Sequence, residues 1–272
     1  MNEFGLGCLE PSISDTAAIN TVCVASPIVA SAKIPNTLRV KQWLTIKNQG
    51  RRNSCGGCAM DYAAETLRLM ALKFRSRPDN LSARWSYCAA IEWGQTWHRG
   101  DNGVSIEAVV MAARDYGTVL EEDCPYWADN EPFDRQLPDL RGKASQHRVE
   151  SVARVTTGEE VIQGLGQGIG PTVFGMHWTQ GMFSYSGGVI DCDPWGQDAG
   201  GHAVCACDYD QSRGLIYVVN SHGVKWGNQG WFEVTVDQMT RLLQQPFGAY
   251  IVSDLQGFKP HAYDFSDWMT TT

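Results

Sequence analysis

The stretch Gln49-Gly50-Arg51-Arg52-Asn53-Ser54-Cys55-Gly56-Gly57-Cys58 puts a thiol where a polar, glycine-bearing loop turns into a helix. Beyond it Ala59, Ala63, Leu67, Met70, Ala71 and Phe74 recur at steps of three and four, the pattern of a helix with one apolar face. Asn53 or Ser54 is suited to cap that helix, so Cys55 falls in its first turn. Free backbone N–H groups and the positive end of the helix dipole favour thiolate over thiol there, and the thiolate is the nucleophile. Taken alone, Cys55 and Cys58 read better as small buried helix residues, as most free cysteines are. A second stretch changes the balance. Gly200-Gly201 leads into His202 and the apolar run Ala203-Val204. A turn and a strand rich in β-branched residues, Leu215 to Val219, then end in Asn220-Ser221-His222-Gly223, with Trp226, Gly227, Gly230 and Trp231 following.

A cysteine followed by a histidine and an asparagine at such long separations is the layout of papain and cathepsin enzymes, the asparagine lying slightly farther on here. The chain resembles a papain-like cysteine peptidase. Gln49-Gly50 and Ser54-Cys55 resemble the family's loop before the nucleophile, His202-Ala203-Val204 its histidine strand, and Asn220-Ser221-x-Gly223-x-x-Trp226-Gly227-x-x-Gly230-Trp231 its asparagine motif. Asn80-Leu81-Ser82, the run from Gly103 to Tyr126, Gly170-Pro171 and Tyr185 with Gly188-Val189-Ile190 are weaker echoes in the same order. The resemblance implies a thiol protease without cofactor. Cys55 attacks the carbonyl, His202 carries the proton, Asn220 orients the imidazole, and Gln49 with the Cys55 N–H stabilises the oxyanion. Gly103, Gly201 and Trp226 are expected to contact substrate, Trp226 also shielding the asparagine–histidine bond. Of the competing histidines 98, 147, 177, 222 and 261, none follows a glycine pair into a strand as His202 does.

Two positions depart from the family. Gly56 and His222 stand where it usually carries tryptophan, directly after the nucleophile and after Asn-Ser. The choice of cysteine is also contested. Cys-Gly-Gly-Cys resembles the family's Cys-Gly-Ser-Cys, whose second cysteine is catalytic, which selects Cys58. Alignment from Gln49-Gly50 without a gap selects Cys55, and places Glu65 on a glutamate found in the nucleophile helix of many members.

The elements that must position these residues are helical first and stranded later: helices over about 55–74, 84–93 and 105–116, a short one over 158–164, and strands around 149–155, 172–174, 204–209, 215–219, 231–236 and 249–252. Such segregation predicts an α+β fold. The resemblance makes it a two-lobed papain-like fold, with a helical first lobe, an antiparallel β-rich second lobe and the cleft between them. The expected organisation is an N-terminal extension (1–33), a peptidase domain (34–255; helical lobe about 44–142, β lobe about 143–255 with 34–43) and a C-terminal tail (256–272). A short strand is expected over 34–43. The extension shows no helical period, and its deletion is expected to raise activity if it lies in the cleft.

Composition narrows the partners. The formal net charge of −8 disfavours nucleic acid, and no apolar run reaches a membrane span. Arg51-Arg52 reads as a solvated loop. The N-terminus lacks the positive start of a signal peptide, so an intracellular, cytoplasmic protein is expected. No metal is expected among the nine cysteines: Cys55-x-x-Cys58 has no matching second pair, and Cys205-x-Cys207 should point to opposite faces of a strand. A polypeptide substrate is the expected partner, with docking through the N-terminal arm or the aromatic tail. The competing readings are a non-catalytic papain-fold component of a larger particle such as a virion, and a thiol amidase or acyltransferase such as a cell-wall hydrolase.

Overall fold

A computed structural model describes residues 4–24, 28–29, 32–96, 100–134, 137, 139–190 and 196–255. The expected tail, His98 and His261 lie outside them. No helix among the described residues is long and apolar enough to cross a membrane.

The N-terminal extension has structure that its sequence hides. Strand β1 (Cys8–Leu9) is followed by helix α1 (Ile13–Val22), which opens with a reciprocal cap: the Ser12 hydroxyl accepts from the Asp15 N–H, and the Asp15 carboxylate from the Ser12 N–H. Within α1 only Ile19 is buried, so no apolar stripe announces the helix. The segment expected to be a strand over 34–43 has instead a lone bridge, Thr37 to Asp210, and a 3-10 turn over Val40–Gln42. It is held because the Asp208 carboxylate accepts the N–H groups of Arg39 and Lys41. Burial pushes the Asp208 carboxyl up to about 6, against the pull of these donors.

Helix α2 (Cys55–Ala71) is the axis of the first half, and it is buried on every side rather than on one face. It packs on α3 (Ala83–Trp93) so closely that a Cβ on Gly57 would lie 2.5 Å from the Ala83 carbonyl. Strand β2 (Val104–Ser105) leads into α4 (Ile106–Asp115). Val104 and Val109 occupy the space that a side chain at Gly56 would need, so the missing family tryptophan is a consequence of packing. Short helix α5 (Arg141–Ala144) follows.

Total burial of α2 requires its charges to be answered internally. Lys47 does so: its Nζ donates to Glu65 Oε1, Asn80 Oδ1 and the Leu81 carbonyl, each at 2.9 Å, and lies 3.6 Å from Asp61. Burial disfavours the ammonium, but Glu65 and Asp61 outweigh it and hold Lys47 charged. Burial pushes Asp61 up to about 7 in spite of Lys47.

The second half is a six-stranded antiparallel sheet in the order β3-β8-β4-β5-β6-β7. Its strands are β3 (Val149–Arg154), β4 (Thr172–Thr179), β5 (Asp198–Asp210), β6 (Leu215–Val219), β7 (Trp231–Thr235) and β8 (Ala249–Leu255). Helices α6 (Gly158–Gly166) and α7 (Val236–Leu243) begin with reciprocal caps at Thr157/Glu160 and Thr235/Gln238. The register slips between Ala206 and Asp208 as β5 pairs with β6. That irregularity undoes the expected alternation: Cys205 and Cys207 share a side, with Sγ atoms 3.3 Å apart. The eight described cysteines are all free thiols. No cluster of three or more metal-ligating side chains occurs among the described residues.

Candidate active site

Cys55 opens α2 and is buried. The helix places its thiol, and the loop before it places Gln49. The Lys47 backbone N–H donates to Tyr62 Oη on α2, and the Gln49 N–H donates to the Ser221 carbonyl. The Ser221 hydroxyl donates to Gln49 Oε1 at 2.6 Å, which fixes the amide and turns Nε2 outward. Ser54 caps without its side chain; its hydroxyl pairs with Tyr126 Oη at 2.5 Å instead. Arg52 is not solvated as expected: its guanidinium lies over Trp127 at 5.3 Å and 3.7 Å from Asp101.

His202 comes from the sheet. Cys205 on β5 faces Val219 on β6, so Asn220, just past β6, falls beside His202. Asn220 Oδ1 and His202 Nε2 are 2.7 Å apart, which leaves Nδ1 as the buried ring nitrogen without a hydrogen-bond partner. The Ala203 N–H points to the Cys55 sulfur, so the thiol lies against the strand that carries the imidazole. Of the other described histidines, His147 pairs with Arg68 and His177 with Asp198, whereas His222 sits beside His202.

Aromatic rings enclose the imidazole. Trp178, on neighbouring β4, lies 4.5 Å from His202 between ring centroids. His222 lies 4.7 Å from His202 and 5.6 Å from Trp226, whose indole N–H donates to the Met182 carbonyl. Trp226 therefore backs His222 and Trp178, and Trp178 is the ring directly on His202. Nothing in the sequence near the asparagine motif pointed to Trp178; the pairing of β4 with β5, Met176 opposite His202, brings it there.

The cleft is filled by the N-terminal extension. Phe4 stacks on His222 at 4.3 Å, and the Gly5 carbonyl accepts from Gln49 Nε2 at 3.0 Å. The Gly7 N–H donates to Cys55 Sγ at 3.3 Å, and its carbonyl accepts from Val104 at 2.8 Å. β1 then runs parallel to β2. Gly103 has φ +90° and lies so close that a Cβ there would sit 2.1 Å from the Gly7 oxygen. On the opposite wall a Cβ on Gly201 would sit 2.1 Å from the Cys8 oxygen.

Seated this way, the arm dries the groups it covers. Burial pushes the Cys55 thiol up to about 11, although the N–H groups of Ala203, Gly7, Gly56 and Cys55 itself draw it down. Burial likewise lowers His202 to about 4, against the Asn220 bond, and His222 to about 2. The sequence predicts a thiolate favoured by the helix start; with the arm in place desolvation is the larger effect, and the pair rests as thiol and neutral imidazole.

A family model of papain family cysteine proteases matches residues 35–247. The chain belongs to the papain family of cysteine proteases. It is thus a cysteine-type peptidase, with polypeptide as its substrate class. Solved structures share the papain fold at low identity. Xylellain, a cysteine protease from Xylella fastidiosa, aligns with TM-score 0.71 and 17% identity over 93% of this chain and 97% of its own. A Carica candamarcensis cysteine protease in complex with E-64 aligns at 0.58 and 19% over 81% and 99%. Procathepsin L 3 of Tenebrio molitor aligns at 0.62 and 20% over 88% and 77%. No curated protein matches the chain.

Proposed function

We propose that the protein is a thiol endopeptidase that cleaves peptide bonds through a thioester acyl-enzyme and is held closed by its own N-terminal arm. The observation that carries this reading is the contact of Gly5 with Gln49. The arm sets a peptide carbonyl against the side-chain N–H expected to stabilise an oxyanion, beside Cys55 and the Asn220-tethered His202. Once the arm leaves, water re-enters, the cost of charge separation falls, and proton transfer from Cys55 to His202 Nδ1 becomes accessible. The thiolate adds to the scissile carbonyl, and Gln49 Nε2 and the Cys55 N–H receive the oxyanion. His202 then donates its proton to the leaving amine, and water, deprotonated by His202, hydrolyses the thioester. Asn220 keeps the ring in the required orientation. Gly103 and Gly201, which already press against arm backbone, would flank substrate backbone in the same groove.

The test is covalent labelling of the full chain with a peptidyl epoxide, followed by mapping of the modified residue and an assay on a fluorogenic peptide. Label on Cys55 with turnover supports the reading. A chain that neither labels nor turns over under any condition that frees the arm would instead be a binding module on a peptidase fold.

A further inference from the structure

The end of the molecule opposite the cleft differs in charge from the chain as a whole. The 17 residues of α2 run about 25 Å from Cys55 to the turn after Ala71. The stretch of β5 from His202 to Asp210 covers a similar distance, about 26 Å. The far ends of the two elements are joined. Asp208 holds the turn at Arg39 and Lys41, the Gln211 N–H donates to the Asn36 carbonyl at 2.8 Å, and Arg77 donates to the Gln42 carbonyl at 3.3 Å. Residues 36–42 and 73–77 therefore share one surface, remote from the nucleophile.

Four cations stand exposed there: Arg39, Lys73, Arg75 and Arg77. None of them has a salt bridge among the described residues, in a chain whose formal net charge is −8. The acids nearby are engaged otherwise. Asp79 faces Arg68 at 3.4 Å, Glu233 faces Arg213 at 3.8 Å, and Asp210 accepts from the Ser212 hydroxyl at 2.6 Å. Asp208 is buried on backbone N–H groups, and half-buried Lys41 has Glu233 and Asp208 close by. The backbone holds the four cations outward in a conformation that side chains disfavour. Of the five non-glycine residues with positive φ among those described, three lie here: Arg39 (+59°), Lys73 (+50°) and Phe74 (+54°). Phe74 is buried, which keeps Lys73 and Arg75 outside on either side of it, and buried Leu38 and Val40 do the same for Arg39. The negative end of the α2 dipole accounts for a cation close to its last turn. It does not account for Arg39, which a separate segment brings to the same surface.

We propose that the surface formed by Arg39, Lys73, Arg75 and Arg77 is a docking site for an acidic stretch of the polypeptide substrate, at the far end of the molecule from the bond that is cut. Charge selects the class of partner. An extended polyanion such as nucleic acid, or an anionic membrane, meets the net negative charge of the whole chain, whereas a short acidic segment meets only the local cations. Exposed ion pairs are individually weak and are screened by salt. The surface therefore adds affinity to a substrate that also enters the cleft, because the linking chain makes the second contact intramolecular. The inference rests on the peptidase reading above, and its test keeps the two apart.

Binding is read first, without turnover. A labelled Asp/Gly peptide and its Asn/Gly counterpart are titrated with full-chain Cys55→Ala and followed by fluorescence anisotropy. Several weak pairs together predict at least about fivefold tighter binding of the Asp peptide at low salt, lost as salt is raised. The combined variant Arg39→Gln, Arg75→Gln and Arg77→Gln should bind the two peptides alike. Equal binding to the unmutated surface overturns the proposal, as does a preference that survives in the combined variant. Tighter binding of single-stranded DNA or of phosphatidylserine vesicles than of the Asp peptide overturns it too. Turnover is then compared on a fluorogenic peptide that carries either tail, at one end or the other, beyond a glycine–serine spacer of about fifteen residues, long enough to pass from the cleft to this surface. The Asp tail should lower KM about fivefold at one end at least, with kcat unchanged, and the combined variant should cleave the peptide without a tail as well as the unmutated chain does. An Asp tail without effect at either end overturns the docking role. Iodoacetamide labelling of Cys55 in the unmutated chain reports separately whether the nucleophile is competent. A labelled, active enzyme indifferent to the tail therefore refutes only the docking surface.

Discussion

The two walls of the cleft hold their candidate catalytic groups by opposite means. On the helical wall, Cys55 and Gln49 are placed by a buried ionic cluster, Lys47 with Glu65 and Asp61, and by the Ser221–Gln49 bond. On the sheet wall, His202 and Asn220 are placed by strand register and enclosed by Trp178, His222 and Trp226, with no ion pair to either among the described residues. A thiolate gains from N–H donors nearby, and the helix start supplies those of Gly56 and Cys55 itself. An imidazole that must gain and lose a proton needs a surround that does not pin it charged, and neutral rings provide that. The division of labour is electrostatic as much as architectural.

The largest effect expected from breaking this comparison lies at the nucleophile. Cys55→Ala should lower turnover by several orders of magnitude and remove iodoacetamide labelling at mildly acidic pH. Cys58→Ala should keep most turnover, because Cys58 is buried one turn deeper and its thiol is pushed up by burial. The reverse pattern would hand the role to Cys58.

Next comes the ionic scaffold. Lys47→Met leaves Glu65 and Asp61 without their cation and should destabilise the fold by about 3–5 kcal/mol, read in denaturant unfolding. His222→Phe on the other wall, which removes no buried charge, should cost well under half of that. Similar losses at the two positions would erase the proposed contrast.

A third test uses pH. His202 and His222 lie near 4 and 2 when the arm covers them, below the ordinary histidine value of 6.5. The closed state thus binds fewer protons than an open state with accessible rings. Its advantage is complete above about 6.5 and is lost as pH falls toward 4. Limited proteolysis of residues 4–24 should accelerate over that window. His222→Trp removes one titrating ring, so the acceleration should shrink, and the acid limb of the rate profile should broaden because no second positive charge develops beside His202. A window unmoved by His222→Trp would assign the pH response elsewhere.

The smallest effect is at the tip of the arm. Phe4→Ala removes a ring stacked on His222, worth about 1 kcal/mol, so Cys55 should label roughly fivefold faster. An unchanged rate would mean that the backbone contacts of Gly5 and Gly7 alone hold the arm.

The walls also differ in how far they could be read from sequence. A helix start and a glycine-led strand are local signals, so Cys55 and His202 could be singled out as candidates, and the fold brings both to the cleft that Gln49 lines. What stayed hidden was set by distant pairing. Trp178 reaches His202 only because β4 lies beside β5. The Cys205–Cys207 contact needs a slip in register that alternation cannot foresee. α1 escaped notice because a helix burying only Ile19 has no stripe to detect. The strand expected over 34–43 is drawn instead into a turn by the carboxylate of Asp208, a partner far along the chain. Gly56 looked like a defect against the family pattern until Val104 and Val109 were seen to need its space.

The arm's attachment has one further consequence. Residues 4–9 hold to the domain by a short set of contacts: two accepting backbone carbonyls, the Gly5 N–H to the Gly50 carbonyl, one N–H to sulfur, one stacked ring and the two-residue pairing of β1 with β2. Tethered to the same chain, they act at an effective concentration on the order of millimolar, which multiplies a weak affinity into near-full occupancy. A single cut between the arm and the domain would abolish that advantage at once, because the released peptide is diluted into the bulk. Closure is thereby sensitive to one peptide bond while independent of protein concentration.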